Sequence, residues 1–233
     1  MYNPIELTKK TENIVVKGDL KKYYRFRATR FYGGISTADT VGCNLRCKFC
    51  WSGNSVWNSN NTGEFYTPDQ VADKLEKIAM MKGFNQIRIS GGEPTIGRNH
   101  LIAVLSNINK KYLFILETNG ILLGYDKNFV KKFKNFKNLH VRVCFKGASP
   151  EEFSFLTGAK EGFEYQIKAI KNLIDENISY NIALVSLKKG SSDFLKHKYN
   201  INLGKTMIET EEIILYPKVR KRLEKEGIIS FFK

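Results

Sequence analysis

The stretch that decides the fold reads Val41-Gly42-Cys43-Asn44-Leu45-Arg46-Cys47-Lys48-Phe49-Cys50-Trp51. Its cysteines are spaced C-x3-C-x2-C, so one short loop can bring three thiolates to one face of a metal cluster. Thiolates are soft ligands, and iron–sulfur clusters select them. Three thiols rather than four leave one metal position without a protein ligand. Such an open position indicates a site that binds a substrate or a cofactor.

Two other interpretations of these thiols stay open. A zinc site could take its fourth ligand from Cys144 or His140, which lie together on a later predicted strand. The thiols could also be buried and unligated, as free cysteines often are. Phe49 and Trp51 flank the last cysteine and would shelter a cluster from water, which helps to set its potential.

The composition indicates one globular domain without a membrane segment. The chain has 233 residues, of which 42% are hydrophobic, enough for a core of its own. No run approaches the roughly 18 apolar residues that a membrane span requires. Glu6, Lys9 and Lys10 interrupt the N-terminus where a signal peptide would have its apolar core. We therefore expect a cytoplasmic protein.

The chain is strongly basic, with a net charge of +15 from 38 Lys and Arg against 23 Asp and Glu. Such a charge is typical of proteins that bind a polyanion such as RNA. A compositional bias toward lysine, with the side chains only solvating helix faces, would give the same number. The charge therefore leaves the partner open.

Short strand-like runs alternate with helical ones, which is the pattern of a parallel sheet wrapped by helices. The predicted strands are 32–40, 86–90, 112–117, 140–145, 180–185 and 212–216, and the clearest helices are 162–177 and 218–226. Six β/α units are too few for a closed eight-stranded barrel, so the sequence predicts an α/β fold, a partial (β/α)6 barrel in a single domain. We assign residues 1–30 to a basic N-terminal extension, 31–190 to the barrel core, and 191–233 to a segment that completes or caps it.

A further helix is predicted to begin at Thr67. Thr67 is the N-cap, Pro68 occupies the first helical position, and Gln70 can complete a capping box. An apolar stripe follows at helical spacing, formed by Val71, Leu75, Ile78 and Ala79.

The cysteine loop after a first strand, C-x3-C-x-aromatic-C, resembles the cluster loop of the radical S-adenosylmethionine (SAM) superfamily. The resemblance implies a [4Fe–4S] cluster on Cys43, Cys47 and Cys50, with SAM chelating the open iron. It also implies an oxidoreductase that cleaves SAM reductively to a 5′-deoxyadenosyl radical, which abstracts a hydrogen atom from the substrate. A flavodoxin- or ferredoxin-like protein would supply the electron.

A second motif, Ser90-Gly91-Gly92-Glu93-Pro94, follows the second predicted strand. Two glycines let a backbone approach a ligand closely. Alone, this is an ordinary strand-to-helix turn. Beside the cysteine loop it matches the Gly-Gly-Glu-Pro motif of the superfamily, which implies that Gly91, Gly92 and Glu93 engage the methionyl amine of SAM.

The later strand ends resemble the branch that activates glycyl radical enzymes, such as pyruvate formate-lyase activating enzyme. Leu116-Glu117-Thr118-Asn119-Gly120 ends the third strand, which implies that Glu117 contacts SAM and that Asn119 lies near its methionyl or ribose part. Lys146, at the end of the fourth strand, would pair with the SAM carboxylate, and Ser186 would contact ribose or adenine. Taken alone, these residues would be an Asn-Gly turn and solvated side chains.

Three substrates stay open. The resemblance to activating enzymes implies a protein glycine. The Cys-x-Phe-Cys-Trp stretch is also similar to wyosine-forming enzymes, which modify a tRNA base. The residues that would serve tRNA alternate in one predicted helix and its flanks: Lys127, Lys131, Lys132, Lys134 and Lys137 with Phe129, Phe133 and Phe136. A small molecule enclosed by the C-terminal segment is the third. A non-catalytic electron carrier is disfavoured, because Gly91–Pro94 and Lys146 would then have no purpose.

Overall fold

The sheet begins in the segment that the sequence assigns to an extension. The computed structural model describes residues 1–188, 190–199 and 206–232, apart from the side chain of Lys196. A first helix, α1 (Pro4–Val15), leads through β1 (Val16–Lys17) into β2 (Leu20–Thr29). β2 pairs antiparallel with the next strand, β3 (Ile35–Thr40). Residues 1–30 are thus built into the sheet.

The remaining strands complete a sheet that is mostly parallel, as the sequence predicts. They are β4 (Glu64–Tyr66), β5 (Gln86–Gly91), β6 (Leu113–Thr118), β7 (Leu139–Lys146), β8 (Ser179–Val185) and β9 (Ile208–Thr210). β3, β5, β6, β7, β8 and β9 lie side by side and parallel, and β4 adds to the far side of β2. This is an α/β fold in one domain with the arrangement of a partial barrel.

The last predicted strand, 212–216, is wrong. Its place next to β8 is taken by β9, whose register runs from Ile182↔Ile208 to Leu184↔Thr210. β8 ends one residue later, at Val185, so residues 212–216 have no strand left to pair with. Their apolar side chains Ile213 and Leu215 pack against the core without strand geometry.

Helices connect the parallel strands. They are α2 (Asn54–Trp57), α3 (Pro68–Lys82), α4 (Arg98–Asn107), α5 (Ile121–Tyr125), α6 (Lys127–Lys131), α7 (Pro150–Thr157), α8 (Phe163–Asp175), α9 (Ser191–Tyr199) and α10 (Pro217–Lys225). The predicted capping box at Thr67 and Gln70 is confirmed. None of the helices that the structure describes is long and apolar enough to cross a membrane.

The strands separate two environments by simple alternation, since successive side chains point to opposite faces. On β5, Ile87 and Ile89 are buried in the core under the helices. Arg88 and Ser90, at the positions between them, line an inner cavity. β7 follows the same rule, and its Arg142 faces that cavity too. The core therefore lies between sheet and helices, while the inside of the barrel is polar.

One buried histidine, His100, connects α4 to β2 and to the turn before it, and gives the stability of the fold a pH dependence. Nδ1 of His100 lies 2.6 Å from the Asp19 carbonyl oxygen, and Nε2 lies 3.0 Å from the Tyr23 hydroxyl. The carbonyl can only accept, so Nδ1 carries the proton and Nε2 accepts from Tyr23. Burial lowers the pKa of His100 to about 4, from an ordinary 6.5.

We expect the free energy of unfolding to fall as the pH drops from 6.5 to 4, because the unfolded chain takes up this proton first. The full difference corresponds to about 3 kcal/mol. His100→Gln should remove this part of the slope, whereas the same change at the exposed His197 should leave it. Urea unfolding at several pH values measures it. Equal slopes for wild type and His100→Gln would contradict the assignment.

Candidate active site

The cysteine loop follows β3 and has no regular secondary structure. Cys47 is buried, and Cys43 and Cys50 are half-buried. A turn joins the last two, since the Cys50 amide donates to the Cys47 carbonyl at 3.0 Å. Burial raises the pKa of Cys43 well above its usual range, reinforced by the charge of Glu93. Burial also raises the pKa of Cys47 to about 12, against the opposing effect of Lys146. A bound metal would supply the positive charge that removes these protons.

This donor set fits an iron–sulfur cluster better than zinc. His140 lies at the opposite end of β7, bonded to Ser179 Oγ and Asn181 Oδ1 at 2.8 and 2.9 Å. Among the described residues, no three His, Cys, Asp or Glu side chains converge on one metal ion. A cluster offers each thiolate its own iron and so accepts a wider spacing. The zinc alternative therefore lacks His140 as its fourth ligand, and Cys144 Sγ lies 3.6 Å from Arg142 Nη1.

The Gly-Gly turn lies directly against the start of this loop. The Gly92 amide donates to the Thr40 carbonyl at 2.9 Å, and the Glu93 amide donates to the Gly42 carbonyl at 2.7 Å. A Cβ on Gly92 would stand 2.1 Å from the Gly42 oxygen. The contact between the two loops therefore requires glycine at position 92. From the sequence alone, this glycine is explained only by the approach of a ligand. The same contact sets the turn beside Cys43.

Glu93 is 1% exposed and its carboxylate joins two strand ends. It accepts from the Thr95 amide at 3.0 Å, from Thr118 Oγ1 at 2.6 Å and from the Asn119 amide at 2.8 Å. Both oxygens therefore have partners within the protein. Glu93 therefore holds the turn at residues 91–93 against the end of β6.

Asn119 is also hydrogen-bonded to the cysteine loop. Its Nδ2 donates to Asn44 Oδ1 at 2.7 Å and lies 3.8 Å from Cys43 Sγ. Behind it, Gln166 of α8 donates to the Asn119 and Cys144 carbonyls at 2.7 and 3.0 Å. Sequence reasoning missed Gln166, because a glutamine within an amphipathic helix gives no signal of its target.

Glu117 is held on the inner side of the barrel by its neighbours. It accepts from Tyr32 Oη at 2.9 Å, Ser90 Oγ at 2.7 Å and Arg88 Nη1 at 3.0 Å. Burial alone would raise the pKa of Glu117, but Arg88 and Arg142 outweigh it and hold the pKa below its usual range. The carboxylate therefore stays ionised, and its charge is already balanced by arginine.

Lys146 and Ser186 lie at neighbouring strand ends, since Lys146 of β7 pairs with Val185 of β8. Burial alone would lower the pKa of Lys146, but nearby Cys144, Glu211 and Cys47 raise it, so the ammonium stays charged. Its Nζ stands 5.6 Å from the centre of the Phe49 ring on the cysteine loop. Ser186, just after β8, donates to Glu152 Oε1 of α7 at 2.8 Å.

Residues 2–21, which we call the N-terminal strap, contact both the cysteine loop and the Gly-Gly turn. Tyr2 Oη accepts from the Arg46 amide at 2.7 Å, and Thr8 Oγ1 accepts from Asn44 Nδ2 at 3.0 Å. Lys21 is fully buried beneath the Gly-Gly turn. Its ammonium donates to the carbonyls of Glu93 at 3.2 Å, Pro94 at 2.8 Å and Ile96.

A cavity of about 770 Å³ fills the inside of the barrel beside the cysteine loop, and we call it the lumen. Four arginines line it: Arg25, Arg27, Arg88 and Arg142. Asp39, fully buried, accepts from Arg25 Nε at 2.8 Å and Arg27 Nε at 2.7 Å. The sequence signal for Arg88 and Arg142 is the alternation of charged and apolar residues on β5 and β7, since strands buried on both faces normally read as continuous apolar runs.

The C-terminal segment covers the outer side of the cysteine loop. Arg222 of α10 donates to the carbonyls of Lys48 and Cys50. Lys48 also pairs with Glu226 at 3.0 Å, and Phe49 packs on Phe232 with ring centres 6.0 Å apart. Residues 206–232 thus contribute both a strand and a cover for the loop.

Comparison with known proteins agrees with this geometry. Residues 38–194, well over half of the chain, match the radical SAM superfamily model. The GTP 3′,8-cyclase of Helicobacter pylori is 29% identical over 161 residues, covering 68% of this chain and 48% of that protein. A probable GTP 3′,8-cyclase of Methanococcus aeolicus is 32% identical, covering 56% and 44%. The chain spans about half the length of these relatives.

The fold has solved counterparts. Streptococcus suis SuiB, in its crystal structure with S-adenosylmethionine, superposes with a TM-score of 0.51 at 18% identity, covering 82% of this chain and 43% of that one. The chain therefore belongs to the radical SAM superfamily, whose members use a [4Fe–4S] cluster and SAM. The relatives named here are neither activating enzymes nor wyosine enzymes, so the finer resemblance to those branches is not supported by them.

We expect Cys47→Ala to abolish cluster assembly, because two thiolates cannot hold the cubane that three are placed to hold. Iron content and visible absorbance of the reconstituted protein should fall to background. Cys144→Ala is the matched control, since this thiol lies on β7 outside the loop, and it should keep the irons of a full cluster. Equal loss in both variants, or zinc in place of iron, would refute the three-cysteine assignment.

Lys21→Met should weaken SAM binding about 10-fold, because three buried carbonyls under the Gly-Gly turn lose their donor, while the iron content stays near wild type. Equilibrium dialysis of reconstituted protein against SAM measures it. The control is Lys22→Met: Lys22 is also buried but donates to the Ser59 and Asn60 carbonyls at 3.0 and 2.8 Å. If both variants lost SAM affinity alike, Lys21 would act only through general stability.

Proposed function

We propose that this radical SAM enzyme abstracts a hydrogen atom from a small anionic molecule held in the lumen, and that Cys43, Cys47 and Cys50 carry its cluster. The observation that carries the proposal is the lumen itself. Its volume of about 770 Å³ lies within the roughly 300–1,000 Å³ of small-molecule sites. Phe49 and Trp51 of the cysteine loop form part of its wall, so a molecule bound there borders the cluster.

The lumen is lined by three glutamates, Glu117, Glu211 and Glu212, as well as by its four arginines. The side that favours an anion is β2, with Arg25 and Arg27. A guanidinium carries about five N–H donors, and Asp39 accepts only three hydrogen bonds from Arg25 and Arg27 together. The two side chains keep 43% and 23% of their surface exposed. Because guanidinium groups match carboxylate and phosphate geometry, the pair can receive a substrate phosphate without giving up Asp39.

The aromatic residues of the lumen favour a nucleotide among anions. Phe31, Tyr32, Trp51 and Tyr216 line it together with the arginines. Aromatic side chains stack on nucleobases, and each stacked base contributes about 1–3 kcal/mol. The names of the relatives point the same way, since GTP 3′,8-cyclase acts on a nucleoside triphosphate. We therefore take GTP as the first substrate to test.

The chain's own residues would position SAM. When bound, the cluster and SAM together supply the 5′-deoxyadenosyl radical that takes up the hydrogen atom. The backbone of residues 91–93, fixed by Glu93, would receive the methionyl amine, with Asn119 alongside. Lys146, which stays charged, would pair with the carboxylate. A ribose or adenine contact from Ser186, and a direct SAM contact from Glu117, stay predictions from the resemblance.

The other substrates have less support. Phe129 and Phe133, which could have stacked on tRNA bases, are 2% and 0% exposed and belong to the core. A protein glycine rests on the Glu117-Thr118-Asn119-Gly120 resemblance alone. A non-catalytic carrier would leave the arginine-lined lumen without a purpose. A low-potential electron donor is needed in every catalytic case.

Reconstituted protein with SAM and dithionite should release 5′-deoxyadenosine. With GTP deuterated at C3′, the position named in the relatives' activity, deuterium should appear in that product, because the abstracted atom ends on the 5′ carbon. Mass spectrometry of 5′-deoxyadenosine measures it. No 5′-deoxyadenosine at all would overturn the enzyme proposal, and 5′-deoxyadenosine without deuterium would overturn only the choice of GTP.

The double variant Arg25→Gln/Arg27→Gln should raise the KM for the anionic substrate about 10-fold or more, since each charged hydrogen bond is worth roughly 1.5–3 kcal/mol. SAM cleavage without substrate should stay unchanged. Arg30→Gln is the control, because Arg30 is exposed just beyond β2 and is not among the lumen-lining residues. An unchanged KM in the double variant would contradict an anion site on β2.

A further inference from the structure

A groove lies on the outer side of the cysteine loop, and we call it the outer groove. Its volume is about 490 Å³, and its lining includes Cys50, Trp57, Lys218 and Arg222. Trp51 and Tyr216 are shared with the lumen and form the wall between the two spaces. The loop therefore has a second open side, and Cys50 is among the residues that line it.

The outer groove is separate from the groups proposed to hold SAM. Gly91, Gly92, Glu93 and Lys146 do not line it. A molecule seated there would approach the cluster through Cys50 without displacing SAM or the substrate. This is the geometry that an electron donor needs, since the donor must act while SAM is bound.

The rim of the outer groove has the character of a protein interface. Trp51, Trp57 and Tyr216 are 46%, 44% and 51% exposed. Exposed tryptophan and tyrosine side chains gathered in one place are typical of binding surfaces. They are also the residue types that most often dominate binding energy at protein interfaces.

The helix that forms one side of the outer groove is strongly basic. Five of the nine residues of α10 are Lys or Arg and one is Glu, in the sequence PKVRKRLEK. Lys218, Arg220 and Lys221 are exposed. Arg222 instead is held by the cysteine loop, where it donates to the Lys48 and Cys50 carbonyls. The helix thus presents a positive surface while it is fixed to the loop that would carry the cluster.

We propose that the outer groove and the basic face of α10 dock an acidic one-electron carrier protein, which reduces the cluster. This rests on the proposed function, since only a cluster that cleaves SAM needs this electron. One electron leaves the reduced carrier and enters the oxidised cluster. The carrier is oxidised by one electron, no bond forms or breaks, and no proton moves. Complementary charge accelerates such encounters by about 10–10³-fold and does so less as salt rises.

The test compares two double variants of the reconstituted holoenzyme. Lys218→Glu/Lys221→Glu reverses the charge beside the outer groove, and Lys110→Glu/Lys137→Glu makes the same net change at exposed positions before β6 and β7, at the opposite end of the barrel. Photoreduced acidic flavodoxin is the probe, and the loss of the cluster's visible absorbance in stopped flow gives the rate. The first variant should be slower than wild type by about 10-fold or more at low salt, and the difference should shrink as salt is added.

Dithionite separates docking from chemistry, because so small a reductant needs no protein interface. With dithionite, the groove variant should form 5′-deoxyadenosine at the wild-type rate, which also shows that it is folded. Equal slowing of both double variants would mean that only the overall charge matters and would overturn the docking site. If flavodoxin reduced the groove variant at the wild-type rate, the docking site would be overturned too. Loss of tRNA binding in that variant would then assign the basic face of α10 to tRNA.

If dithionite yields no 5′-deoxyadenosine even in wild type, the proposed function fails. The docking proposal is then still decided by the rate at which flavodoxin reduces the cluster, because that measurement does not need SAM.

Discussion

The site depends on one buried carboxylate, that of Glu93. A buried charge is stable only when it is paired or fully hydrogen-bonded. Glu93 meets this requirement with groups that follow two different strands, Thr95 after β5 and Thr118 and Asn119 at the end of β6. Satisfying the charge therefore fixes the two strand ends relative to each other.

The groups around Glu93 are hydrogen-bonded in turn to the cysteine loop. Asn119, held through its amide, bonds to Asn44 in the cysteine loop. The Glu93 amide reaches the same loop through the Gly42 carbonyl, and Lys21 holds the turn from beneath. Hydrogen bonds between side chains and backbone groups thus position three segments without regular secondary structure: the cysteine loop, the Gly-Gly turn and the residues that follow β6. Loops placed in this way can present thiols and backbone groups in a fixed arrangement before any cofactor binds.

The lumen uses a second arrangement of charge. Buried or half-buried arginines would be costly alone, but Asp39 and Glu117 each accept from two or more neighbours, and Arg142 has three carboxylates within 4 Å. Balanced pairs keep the guanidinium groups in place, so a substrate would meet donors that need little reorganisation. The same barrel wall carries an apolar face toward the helices, which supplies the packing that stabilises the fold.

The sequence by itself determined the superfamily, the α/β class, five of the six parallel strands to within about three residues, and the three cysteines with the Gly-Gly-Glu turn. These are local signals: cysteine spacing, capping residues and apolar period are all written within short windows. Only the tertiary structure decided that Glu93 accepts hydrogen bonds from the neighbouring strand end, and that the N-terminal strap contacts the cysteine loop and the Gly-Gly turn. It also decided that arginines line the lumen. Each depends on which distant segments meet, as Lys21 meets residues 93–96, and charge or composition cannot reveal that. The strand at 208–210 escaped sequence reasoning for the same reason, since its register is set by where β8 ends and not by its own residues.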